Sequence, residues 1–146
     1  MRTRRLRLLI RPPLVLGLVL PFLVGSFSAN AAAVPQSVRV KLLIGGRAEI
    51  GQHGGAARIA LAGGCTSGAE VLEAFVYISQ DGHTSDLGFI PLVCDGAKHR
   101  WLVEVHPFDQ PFHPGKASAS AYALVMDFRT GETAEDSPFR DIRMFG

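Results

Sequence analysis

The stretch KASASAYALVMDF, residues 116–128, decides the class of fold. It sets Ala117, Ala119, Ala121, Ala123 and Val125 against Ser118, Ser120, Tyr122, Leu124 and Met126. Side chains of an extended chain alternate between two faces, so this run reads as a strand with one packed face. The alanines on that face let an opposing layer come close.

The same period-2 alternation extends in both directions. It recurs in SVRVKLLI (37–44), AARIALAGGC (56–65), EVLEAFVYISQ (70–80), DLGFIPLVC (86–94), RWLVEV (100–105) and PFRDIRMF (138–145). Between these runs lie turn-rich segments such as GGRAEIGQHGG (45–55), DGAKH (95–99) and RTGETAEDS (129–137). No long stretch carries apolar residues at helical spacing. Seven short strands in a chain of this length predict an all-β domain, a seven-stranded immunoglobulin-like β-sandwich with Greek-key connections. A closed barrel is the alternative.

The first 31 residues stand apart. Arg2, Arg4, Arg5, Arg7 and Arg11 precede an apolar run from Leu14 to about Phe27, followed by Ala29-Asn30-Ala31. That is the pattern of a secretory signal peptide, with cleavage expected after Ala31, or after Ala33 as the alternative. Pro12 and Pro13 before the run and Pro21 within it disfavour a membrane-spanning helix, so residues 1–31 are expected to be removed and 32–146 to form the domain, without a membrane anchor. Removing five arginines leaves ten Lys and Arg against thirteen Asp and Glu, a net charge of −3, and the basic footprint of a nucleic-acid-binding protein is absent. The expected location is extracellular.

Two cysteines in an exported chain are most simply one disulfide. Cys65 shares a strand face with Ile59 and Leu61, and Cys94 shares one with Ile90 and Leu92, so both sulfurs are expected to point into one interior. Buried free thiols are the competing state.

The segment 103–124, VEVHPFDQPFHPGKASASAYAL, resembles small secreted immunoglobulin-like domains of unknown function from high-GC Gram-positive bacteria. Those domains share a strand ending in Gly64-Cys65, the PLVCDG segment at 91–96 before a tryptophan-bearing strand, and the proline-rich run leading into alternating alanines. The excess of arginine over lysine and a single asparagine, Asn30, agree with a GC-rich genome. The resemblance implies secretion and a sandwich fold, and no catalytic residue.

His106, Asp109 and His113 are the densest cluster of potential ligands. Zinc needs three or four such groups converging at about 2.0–2.3 Å. The intervening Pro107, Phe108, Pro111 and Phe112 favour a stiff corner covering one end of the domain, so no metal is expected. QHGGAA (52–57) resembles an esterase oxyanion loop, but GCTSG (64–68) lacks the G-x-S-x-G spacing of a nucleophile elbow, and an enzyme is not expected. Val71, Phe75 and Tyr77 form an apolar stripe opposite Leu72 and Val76; with Tyr122 they are a candidate binding surface. The expected function is a non-enzymatic secreted module without a cofactor, binding an extracellular protein or glycan or serving a structural role. A small-ligand carrier or protease inhibitor is the alternative.

Overall fold

The computed structural model describes residues 37–146, so the expected signal peptide and cleavage position lie outside the described residues. Nine strands follow in order: β1 Val40–Ile50, β2 Ala57–Cys65, β3 Glu70–Gln80, β4 His83–Thr84, β5 Gly88–Phe89, β6 His99–Val105, β7 Gly115–Asp127, β8 Glu132–Asp136 and β9 Phe139–Phe145. They form one curled mixed sheet in the order β4-β3-β7-β9-β1-β2-β6, with β5 also on β3 and β8 also on β7. The all-β expectation holds. The strand count differs because two expected turns contain the short elements β4 and β8.

The inner faces alternate as the sequence predicts. Ala119, Ala121, Ala123 and Val125 of β7 are buried, and so are Ala57, Ile59, Leu61 and Cys65 of β2. Leu42, Ile59, Val76, Ile78, Val105, Val125 and Met144 supply the largest fully buried side chains. Their burial is the main favourable term in folding.

β1 is longer than expected. The residues 45–50, read above as part of a turn, continue the strand across a register shift between Ile44 and Ala48. Gly45 makes this possible, since a Cβ there would lie 2.9 Å from the Ala60 carbonyl oxygen. The Arg140 guanidinium donates to the Ile44 carbonyl at 2.6 Å, satisfying a backbone acceptor just before the pairing with β9 begins at Arg47. Beyond this bend β1 pairs in parallel with β9 through Arg47, Ala48 and Glu49. One strand thus joins β2 and β6 on one side to β9, β7 and β3 on the other.

The expected strand 86–94 pairs regularly only at Gly88–Phe89, opposite Val76 and Phe75. Pro91 has no N–H to give a ladder; after the Ile90 N–H to Ala74 carbonyl bond at 3.0 Å the chain leaves β3 in a tight turn closed by the Leu92 N–H on the Ile90 carbonyl at 2.8 Å, with Ile90 and Leu92 in the core. The preceding residues bridge the two ends of the sheet. The Asp86 N–H donates to the His106 carbonyl at 2.8 Å, the His106 N–H to Asp86 Oδ1 at 2.7 Å, and Ser85 forms a bridge with Pro107. Gly88 lies against Val103 and Val105 of β6 with no room for a side chain. The curl is thereby drawn together at one end.

Cys65 and Cys94 form the expected disulfide, with a Cα separation of 4.6 Å. No helix among the described residues is long and apolar enough to cross a membrane.

Candidate functional site

The register of β3, β7 and β9 assembles an outward face that the strands do not show individually. Phe89, Phe75 and Tyr122 lie side by side across β5, β3 and β7, because Phe75 is directly opposite both Phe89 and Tyr122. The Phe75 and Tyr122 ring centroids are 5.5 Å apart, a tilted aromatic pair. One step along, Tyr77, Ser120 and Phe139 form the next row across β3, β7 and β9. Phe89 is 80% exposed and Phe139 66% exposed, so these two rings have little cover from the described residues.

Three of the four residues proposed from the sequence, Phe75, Tyr77 and Tyr122, share this face. Val71 does not. A register shift between Val71 and Glu73 leaves Leu72 as the extra residue of a bulge, which reverses the face of everything before it. Val71 consequently sits opposite Val125 and packs against the core, whereas Leu72, expected inside, is 44% exposed. Val71 nevertheless lines, with Leu72, Phe75, Leu87 and Phe89, a hollow of about 370 Å³ beside the first aromatic row. Phe89 and Phe139 were not singled out from the sequence. The signal for Phe89 was present, since it alternates with Ile90 and Leu92.

The Tyr122 hydroxyl donates to Glu135 Oε2 at 3.3 Å, which ties the aromatic row to β8. Burial and the Glu135 charge push the Tyr122 phenol above its ordinary value, so it stays a neutral donor.

His106, Asp109 and His113 of the proline-rich corner share no partner with one another among the described residues. His106 lies 3.4 Å from Asp86 and 3.5 Å from Glu104, Asp109 accepts from or pairs with His83 at 2.9 Å, and His113 lies 2.8 Å from Asp81. Gln80 adds two bonds, donating to the His113 carbonyl at 2.8 Å and accepting from its N–H at 3.2 Å. These contacts fasten residues 106–113 to residues 80–86. Phe112 is buried and plugs the end of the core, whereas Phe108 is 72% exposed. No group of three or more His, Cys, Asp or Glu side chains converges on one point among the described residues.

Three carboxylates are held below their ordinary range in the folded domain. The His99 ring lowers Asp95, with help from the Ala97 N–H at 2.8 Å; the His83 ring lowers Asp109; and the Arg129 N–H, also at 2.8 Å, lowers Asp127, all from an ordinary value of 3.8. A carboxyl group depressed in the folded state contributes stability that is complete above the unfolded value and is lost as pH falls through the lower folded value. The melting temperature is therefore expected to fall on acidification below about pH 4. The same limb should be shallower in an Asp95→Asn/Asp127→Asn variant. Identical acid limbs in thermal melts of the two proteins would refute this assignment.

A separate groove of about 750 Å³ runs beside the start of β1 and the end of β2, with Arg39, Lys41 and Lys98 at its margin and Gly63 and Gly64 in its wall. Lys41 is already engaged with Asp136 at 3.3 Å. No protein-family model, curated protein or solved structure matches this chain.

Proposed function

We propose that this chain is a secreted, non-enzymatic module that binds a protein or glycan outside the cell, or serves a structural role there, through the aromatic face of β3, β7 and β9. The observation that carries the reading is the double row of rings, Phe89, Phe75 and Tyr122 beside Tyr77 and Phe139, on a regular sheet surface. Rings held on strands offer contact area that loses little side-chain freedom on binding, which is why aromatic residues are enriched at interfaces. An immunoglobulin-like arrangement is supported by the strand order, in which β1 crosses from β2 and β6 to β9, β7 and β3. Secretion is supported by the arginine-led apolar leader and by the disulfide.

The test is quantitative binding to glycan arrays and to cell-surface material, comparing the wild type with a Phe75→Ser/Phe89→Ser variant. Removing two central rings is expected to weaken binding by about tenfold or more. Equal binding by the two proteins would reject the face as the site. A second reading, carriage of a small ligand, is favoured by the 750 Å³ groove, since ligand sites commonly measure about 300–1,000 Å³. Binding lost on Gly64→Trp but kept on Phe75→Ser/Phe89→Ser would favour that reading.

A further inference from the structure

The aromatic rows lie between two ends of opposite charge. Toward one end of β7, Leu124 has Glu73 opposite it on β3 and Glu135 opposite it on β8; one step further, Met126 lies opposite Glu70. Toward the other end, Lys116 lies opposite Arg143 of β9, which in turn lies opposite Arg47 of β1. Alternation puts Leu124 and Lys116 on the same outward face, eight residues apart, so the charged ends are separated by about 27 Å. Glu73, Glu135, Lys116 and Arg143 are exposed, and none of the four makes an ion pair among the described residues. Two carboxylates border the basic end. Asp141 lies one row nearer the rings, and Glu49 of β1 has Arg58 directly opposite.

We infer that the partner of this face is a second copy of the same chain, stacked face to face about a twofold axis running across the strands, with the acidic end of each copy over the basic end of the other. The inference rests on the reading of the aromatic face as an interface and names its occupant. A face that is acidic at one end, apolar in the middle and basic at the other is complementary to itself in this orientation. Turning the axis parallel to the strands would set Glu70, Glu73 and Glu135 against their own copies, and like charges facing each other select against it. The chosen axis also satisfies the geometry of packed sheets, whose strand directions stay within about 30° of parallel or antiparallel, and the isologous symmetry of most homodimers.

The experiment is sedimentation equilibrium on the protein purified as expressed, with Glu73→Lys/Glu135→Lys and Lys116→Glu/Arg143→Glu as charge-reversed variants. The wild type is expected to dimerise with a dissociation constant on the order of tens of micromolar, weakened severalfold as salt rises toward 0.5 M, at roughly which the screening length falls below 5 Å. Each variant alone should be monomeric, and an equimolar mixture should recover the dimer. A wild type that stays monomeric at about ten times that dissociation constant, a variant that dimerises as well as wild type, or a mixture that stays monomeric would each overturn the inference. If circular dichroism shows either variant unfolded, the wild type decides. Association indifferent to salt, or persisting in Phe75→Ser/Phe89→Ser, then overturns it. A monomeric wild type that still binds another component through the rings refutes the homodimer and leaves the interface reading standing; loss of both refutes both.

Discussion

The Cys65→Ala/Cys94→Ala variant is expected to melt about 15 °C below the wild type. The disulfide spans 29 residues, and closing a loop of that length is worth about 3–4 kcal/mol in the chain-entropy model. For a domain of about 110 residues that free energy corresponds to the temperature shift given. The local structure explains why little else replaces it. Past the Gly88–Phe89 pairing, Ile90–Cys94 donates only two backbone bonds among the described residues, Ile90 N–H to the Ala74 carbonyl at 3.0 Å and Leu92 N–H to the Ile90 carbonyl at 2.8 Å, so Ile90 and Leu92 reach the core from a lightly bonded segment. The Gly68 N–H to Cys94 carbonyl bond at 3.3 Å and the Gly96 N–H to Cys65 carbonyl bond at 3.1 Å flank the bridge, and they depend on the two turns staying together. Hydrogen exchange should consequently rise first in residues 86–97. Calorimetry of the variant and of wild type under reductant checks the prediction, and a shift of less than about 3 °C in both would show that the bridge is not a principal constraint.

Much of this pairing was legible because it depends only on alternation within a strand. Period 2 places Cys65 with Ile59 and Leu61, and Cys94 with Leu92 and Ile90, whatever the neighbouring strands are. The candidate face was legible only in part, for a related reason. Alternation says which residues share a face of one strand, and it does not say which strand lies alongside or at what register. Phe75, Tyr77 and Tyr122 were found because each run is regular near them. Val71 was misplaced because the bulge at Leu72 adds one residue, and one residue reverses the alternation. The charged ends were out of reach altogether. Glu73 and Glu135 are 62 positions apart in the chain and meet only through Leu124 between them. The parallel pairing of β1 with β9 was equally hidden, since it depends on a bend at Gly45 and on Arg140 reaching back to the Ile44 carbonyl.

Leu42→Ala is expected to destabilise the domain by about 2–5 kcal/mol, comparable with loss of the disulfide. Leu42 is fully buried in the middle of the β1–β2 ladder, opposite Gly63. Its N–H is satisfied by Asp136 at 2.6 Å, so the backbone is held in place and cannot settle into the space the side chain would vacate. Nor can the opposite strand fill it, because Gly63 has no side chain to offer. Adding one does not help. A Cβ on Gly63 would lie 2.9 Å from the Leu42 Cδ2 atom, a contact that Leu42→Ala relieves, but it would also overlap the Lys41 carbonyl oxygen, which belongs to the backbone and remains. The Leu42→Ala/Gly63→Ala double variant should therefore be no more stable than Leu42→Ala alone, with Gly63→Ala by itself costing about 1–3 kcal/mol from overpacking. Urea denaturation of the three variants measures these differences. A cost below about 1 kcal/mol for Leu42→Ala would mean the cavity collapses, and recovery of wild-type stability in the double variant would mean that the Lys41 carbonyl moves aside, either of which would refute this account of the β1–β2 contact.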